Sequence, residues 1–210
     1  MRVEAARDLA LPLSTKLGAV SLAVREEPID NLHLHAEVPI AFLVERILEP
    51  TILADGLGGI ALREVEVEAP WWKDYDAAKG EGPTRWAKRF DVSNWGLMAA
   101  YQGTVRIGGA VVALKAPGLE MIDGRGDLAV LWDLRVRPES RSHGAGYALF
   151  RAAEEWARKR GCRTLKVETQ NINVAACRFY ARMGCTLTAI NLDAYPEFPH
   201  EVQLLWQQSL

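Results

Sequence analysis

Apolar and polar positions alternate through residues 60–69, placing Val65, Val67 and Ala69 on one face of a predicted strand and Glu64, Glu66 and Glu68 on the other. Residues 40–48 predict the strand before it, and Gly56, Gly58 and Gly59 predict the turn between the two. A strand rather than a helix follows those glycines, so they do not read as a phosphate loop. Residues 20–27 read as a further strand. Residues 31–38 alternate Leu32, Leu34 and Ala36 against His33, His35 and Glu37, which fits a strand face or a helix face. The first twenty residues show no clear period. Pro70, Trp71 and Trp72 are expected to end the glutamate-bearing strand, with a loop to about Pro83 and a short helix over residues 84–90. Residues 96–101 and 105–114 predict a hairpin turning near Gln102 and Gly103.

The second half is more sharply patterned. Residues 128–136 (LAVLWDLRV) form a mostly apolar strand, and residues 137–143 a polar turn. Residues 144–160 predict an amphipathic helix with Ala145, Leu149, Ala152, Ala153 and Trp156 on one side. Arg158, Lys159 and Arg160 complement the C-terminal end of its dipole, and Gly161 suits the position just past the end. A strand follows at residues 164–169. Asn173 can cap a second short helix that stops at Gly184, and residues 185–192 and 202–207 are the last strands. Strand, helix, strand, helix, strand, strand, after a run of antiparallel candidates, implies a mixed α/β sheet.

A length of 210 residues suits one domain, or one domain plus an extension. The net charge of −2 argues against a nucleic-acid partner, because phosphate binding needs a basic surface. No window is apolar enough to span a membrane, and the mildly apolar residues 9–24 contain Lys16 and follow Glu4 and Asp8, which does not fit a signal peptide. Three cysteines, Cys162, Cys177 and Cys185, cannot all pair and suit a reducing cytoplasm. Cys177 lies in a helical pattern with no evident histidine partner and reads as a small buried hydrophobe rather than a nucleophile. His33 and His35 have metal-ligand spacing but no nearby partners, so no metal is expected. Glu64, Glu66 and Glu68 form either a solvated face or one wall of a groove for a cationic substrate.

The sharpest local signal is Arg141-Ser142-His143-Gly144-Ala145-Gly146, between a strand and a helix. The first turn of a helix has unpaired N–H groups and the positive end of the dipole. Glycines at 144 and 146 let the backbone approach a pyrophosphate, and Arg141 can add a charge-assisted contact. The alternative is a tight helix entry whose glycines merely allow the turn. A dinucleotide loop is a second alternative and can cite Glu168 about twenty residues downstream. Against it stand Leu149 at the third glycine position, the long polar turn before Gly144, and the lack of further alternating strand–helix units upstream.

The run Val136-x-Pro138-x-x-Arg141-x-x-Gly144-x-Gly146 resembles the acetyl-CoA motif of the GNAT N-acetyltransferases. Asn173-x-x-Ala176-x-x-Phe179-Tyr180, followed by Met183-Gly184, resembles the next motif of that family. The usual glycine after the arginine is Ser142 here, a change expected to be tolerated. Val167-Glu168-Thr169-Gln170-Asn171-Ile172-Asn173, then Tyr195, Phe198-Pro199 and residues 201–206, are similar to the streptothricin and nourseothricin acetyltransferases, as is Leu62-Arg63-Glu64-Val65-x-Val67. The resemblance covers residues 40–76 and 95–207.

The resemblance implies a mixed, mostly antiparallel, splayed sheet flanked by helices, with residues 41–210 as the acetyltransferase domain. Residues 1–40 would form an N-terminal extension and the first elements. It implies acetyl-CoA as cosubstrate, held by Arg141, Ser142, His143, Gly144, Ala145, Gly146 and Tyr147, by backbone groups of Leu134 and Val136, and by Asn173, Ala176 and Phe179. Thioester aminolysis needs a neutral amine and a proton for the leaving thiolate. Asp133, the one acidic residue of its strand, is the candidate base, beside a water relay; the alternative is a structural carboxylate paired with Arg135 or another cation. Tyr180 is the candidate acid, about two helical turns after Asn173, and otherwise a core tyrosine. Asn173 can be cap and ligand at once. The expected acceptor is a small cationic amine of the streptothricin type, met by carboxylates among Glu64, Glu66, Glu68, Asp74, Asp76, Asp193 and Glu197. A protein amine is the alternative acceptor, and an acetyl-CoA-binding sensor the alternative without catalysis. A homodimer in the cytoplasm completes the expectation.

Overall fold

The computed structural model describes residues 21–78, 80–122 and 124–210. The reading of the first twenty residues lies outside them. The elements are β1 (Leu22–Glu27), α1 (Leu32–His35), β2 (Phe42–Ile52), β3 (Ile60–Lys73), α2 (Pro83–Arg89), β4 (Gly96–Gln102), β5 (Val105–Ala113), β6 (Leu128–Val136), α3 (Ala145–Lys159), β7 (Thr164–Gln170), α4 (Val174–Arg182), β8 (Thr186–Asn191) and β9 (Gln203–Ser209). Seven strands form one sheet in the order β1-β4-β5-β6-β7-β9-β8, and β2 and β3 pair separately. The β6–β7 pair is parallel, because α3 carries the chain back across the sheet; every other neighbouring pair is antiparallel. The mixed, mostly antiparallel α/β architecture expected from the sequence is the one observed.

Two apolar layers sandwich this sheet. On one face Leu149, Phe150, Ala153 and Trp156 of α3 meet Ala129, Leu131 and Leu165. On the other, Trp86 of α2, Trp95 and Leu32 meet Leu97, Val111, Leu128 and Val130. Helix α3 ends as its sequence predicts. Gly161 takes φ 79°, its N–H reaches Arg158 O at 3.0 Å, and Cys162 N–H reaches Ala157 O at 3.1 Å, which satisfies two terminal carbonyls.

One open reading is decided and one expectation changes. Of the strand and helix readings of residues 31–38, the helix is observed, as a 3-10 turn at Ile29–Asn31 running into α1, because Leu32 and His35 must both reach the core. Strand β3 does not stop at Pro70. Its pairing jumps from Arg46↔Glu66 to Val44↔Trp71, so residues 67–70 bulge out of the ladder. Pro70 sits within that bulge, where its missing N–H forfeits no ladder bond, and the strand resumes through Trp71 and Trp72 to Lys73.

Close approach of α3 to β4 depends on Gly96. A Cβ there would lie 2.2 Å from Cε2 of Trp156, whose Nε1–H donates to Glu26 Oε1 at 2.9 Å. Gly96→Ala is therefore expected to displace the indole and destabilise the fold by about 1–3 kcal/mol, the usual cost of overpacking. Urea denaturation followed by tryptophan fluorescence checks it, and an unchanged midpoint would show that the indole moves freely.

Candidate active site

Strands β6 and β7 share a ladder from Leu128↔Thr164 to Leu131↔Val167 and no further. At that point β6 carries a bulge: Leu131 pairs with Val112 and Asp133 with Val111, leaving Trp132 as the extra residue. The kink re-aims the rest of β6, and the two parallel strands splay apart. The opening is a cleft of about 950 Å³, walled by residues 130–136 and 167–170, by the start of α3 and by α4. Backbone groups of β6 on the side of the splay have no strand partner, so they are available to a ligand.

The sequence candidates converge on this cleft. Asp133, Leu134, Val136, Arg141, Ser142, Gly144, Gly146, Tyr147, Asn173, Ala176, Phe179 and Tyr180 all line it. His143 and Ala145 do not. Ala145 is buried under the helix, and His143 is exposed, its Nδ1–H donating to Arg141 O at 2.7 Å. At the mouth of α3, Gly144 takes φ 87°, with open space where a Cβ would be. Ser142 also has positive φ, 64°, which explains why glycine is usual there; the serine accepts about 1–2 kcal/mol of backbone strain and keeps the turn. Arg141 donates through Nε to Val136 O at 3.0 Å, which anchors the exposed guanidinium at the loop. Asn173 is the cap of α4, its Oδ1 accepting from Ala176 N–H at 3.1 Å.

Asp133 is buried and committed. Its Oδ1 accepts from His35 Nε2 at 2.7 Å and from Arg135 Nε at 2.8 Å, and its Oδ2 from Arg135 at 2.6 Å. Burial alone would raise this carboxyl; the Arg135 charge and the hydrogen bonds from Arg135 and His35 outweigh it and hold it well below the usual carboxylate range. Of the two readings left open by the sequence, the paired carboxylate is the observed geometry. Arg135 in turn reaches Asp76 at 2.7 Å and Val38 O at 3.2 Å, tying β6 to the segment after β3 and to the segment after α1. His35 was visible only as half of a metal-like pair. In the structure His33 is exposed and its Nδ1 bonds Asp30 O, so the two rings part company.

Tyr180 is buried on the cleft wall, its ring against Phe150 and Phe179. Burial raises its phenol above the ordinary range, and the Asp133 charge adds to the shift. Cys177 is buried and its thiol is pushed up to about 11 by desolvation, so it is a protonated core group. Among the expected acidic residues, Glu64 and Asp76 line the cleft, whereas Glu66, Glu68, Asp74, Asp193 and Glu197 do not. Asn171, 1% exposed, has no signal in the sequence beyond its place in the 167–173 motif. Its amide binds Leu48 O, His200 O and Val202 N–H, so one side chain joins β2 to the approach to β9.

The Asp133 pairing has a pH signature. Its folded value lies below the unfolded value of about 4, so its stabilisation is complete above about pH 4 and is lost as pH falls through the folded value. Asp133→Asn strips Arg135 and His35 of their shared anion and is expected to cost about 3–5 kcal/mol near neutrality. That penalty should shrink on acidification. Urea melts from neutral pH down to about pH 3 measure both, and a pH-independent penalty would remove the ion pair as its cause.

The model of the acetyltransferase (GNAT) family matches residues 60–185, more than half of the chain. Streptothricin acetyltransferase A of Bacillus subtilis (strain 168) is 36% identical over 80 residues, 37% of this chain. That match spans about half of the relative, 46% of its length. The crystal structure of a nourseothricin acetyltransferase superposes with a TM-score of 0.69 at 26% identity, covering 90% of this chain and 98% of that one. A Bacillus anthracis str. Ames protein described as a streptothricin acetyltransferase, in complex with acetyl coenzyme A, superposes with a TM-score of 0.68 at 23% identity, covering 92% of this chain and 99% of its own, and so shares the fold. With this sheet, this splay and the matched family model, the chain belongs to the GNAT acetyltransferase family.

Proposed function

We propose that the protein transfers an acetyl group from acetyl-CoA to a primary amine of a small cationic molecule, with a streptothricin-type antibiotic as the acceptor. The observation that carries this is the cleft between β6 and β7, which has an anion-binding helix entry at one end and a tyrosine in its wall. The likeness to streptothricin and nourseothricin acetyltransferases supports the acceptor class.

The residues fit the cosubstrate. Backbone groups of Leu134 and Val136 on the unpaired stretch of β6 hold the pantetheine arm, and Ala176 leaves room beside it. The N–H groups at the start of α3, opened by Gly144 and flanked by Arg141, hold the pyrophosphate. Acetyl-CoA supplies the activated acyl group as a thioester. Tyr180, kept protonated by burial, donates to the sulfur as the thiolate departs, and the water relay that takes the amine proton returns one to the phenol. Asp133 is a poor proton acceptor in its Arg135–His35 clamp, so it orients Arg135, and a water relay takes the proton of the amine. Three free, buried cysteines and the cosubstrate support a cytoplasmic location. Among the described residues no helix is long and apolar enough to cross a membrane. Apolar side chains exposed on the β2–β3 hairpin, Ile52, Leu57 and Trp72, support a homodimer, for which light scattering should give twice the chain mass.

Incubating the protein with acetyl-CoA and streptothricin should add one acetyl mass to the antibiotic. A bound cosubstrate that never reacts would instead leave a sensor. Tyr180→Phe should lower kcat by about 10²–10⁴-fold while acetyl-CoA affinity and melting temperature stay near wild type. Near-normal turnover would make Tyr180 a packing residue.

A further inference from the structure

Most carboxylates around the cleft already have a cation. Asp133 and Asp76 share Arg135, Glu64 pairs with Arg46 and Arg178, and Glu81 pairs with Arg89. Glu45 is exposed. Glu168 differs from all of these. It is half-buried on the cleft wall and makes no ion pair with any described residue. Two neutral donors hold it instead: the Tyr195 hydroxyl at 2.5 Å on Oε1 and Gln203 Nε2 at 2.9 Å on Oε2. Tyr195 is itself fixed by Gln170 Nε2 at 2.9 Å.

Strand alternation sets where this charge points. Thr169 faces α4, with its hydroxyl at 3.4 Å from Cys177 Sγ and accepting from Trp206 Nε1 at 2.9 Å. Glu168 therefore projects from the opposite face of β7. Tyr75 and Asp76 also line the cleft. The Tyr75 ring packs on Phe42, and its hydroxyl, beside Asn173, is buried without completing a hydrogen bond. A carboxylate partly withdrawn from water, fixed by neutral donors, lacks the opposite charge that would offset its desolvation. The Tyr75 ring already carries the Lys73 ammonium at 5.7 Å, and that ammonium is paired with Glu201, so the unpaired charge is that of Glu168.

We propose that Glu168, positioned by Tyr195 and Gln203, is the residue that selects the acceptor by binding one of its ammonium groups. The acceptor class is then a molecule with at least two amines, one anchored at Glu168 and one acetylated. This rests on the acetyltransferase reading above and names what that site selects.

The test measures steady-state kinetics of the full chain with streptothricin, and with spermidine as a simpler polyamine, at several salt concentrations. Glu168→Gln keeps the size and one accepting oxygen and removes the charge. It should raise the acceptor KM about 10–100-fold, change kcat far less, and leave acetyl-CoA affinity and melting temperature unaltered. It should also flatten the fall of kcat/KM with added salt, which loss of packing alone would not do. Tyr195→Phe should shift KM the same way by a smaller factor, and Glu168→Asp should restore part of the loss. An unchanged acceptor KM in Glu168→Gln, with wild-type turnover intact, overturns the assignment and leaves the acetyltransferase standing. Equal losses in acetyl-CoA and acceptor affinity overturn it as well. If the wild type binds acetyl-CoA but acetylates neither amine, the acceptor reading falls and takes this assignment with it.

Discussion

Two parallel strands that part company after a four-pair ladder organise the whole molecule. Parallel pairing of β6 with β7 brings the end of β6 and the start of α3 to one side of the sheet. The bulge at Trp132 then turns β6 away, so its backbone polar groups face an opening rather than a neighbour. Such groups persist only where water or a ligand meets them, so the splay leaves them open to a ligand. Strand β9 pairs with β7, and β8 with β9, which closes the far side, so the sheet tolerates an interrupted ladder without losing its continuity.

The cost of that opening is met by a charge network centred on Arg135. The guanidinium spans Asp133 on its own strand, Asp76 after β3 and the carbonyl of Val38 after α1. His35 adds a bond from α1 to the same carboxylate, in the narrow space left by Gly109, where a Cβ would lie 2.4 Å from its Nδ1. Buried ion pairs add little net stability against an apolar alternative, but they specify geometry. Here they fix the segments after α1 and β3 against the central strand. Glu168 has hydrogen-bond donors without a cation, and that contrast separates a scaffold charge from a recognition charge.

Much of the frame is legible in the chain. The β6 run, the α3 stripe, the Gly161 stop and the Asn173 cap each depend on residues within a few positions of one another, and each lies where the pattern puts it. The turn at residues 141–146 is likewise local, because positive φ at Gly144 and Ser142 is a property of the turn itself. Strand β3 departed from expectation because Pro70 sits in a bulge, and a bulge is defined by the partner strand. Residues 31–38 stayed open between strand and helix because their alternation fits both, and the core decides for the helix, since only that brings Leu32 and His35 to one side.

By itself the sequence determined the order of elements, the helix entry that faces the cleft and the residue types gathered there, since periodicity, capping and turn chemistry act over a turn or two of chain. Tertiary structure decided the partners. His35 and Asp133 lie 98 positions apart, and Glu168 and Tyr195 are 27 apart. No local pattern encodes such pairs. Packing of α1 and of the segment after β8 against the sheet determines which carboxylate is neutralised by arginine and which is left for a ligand.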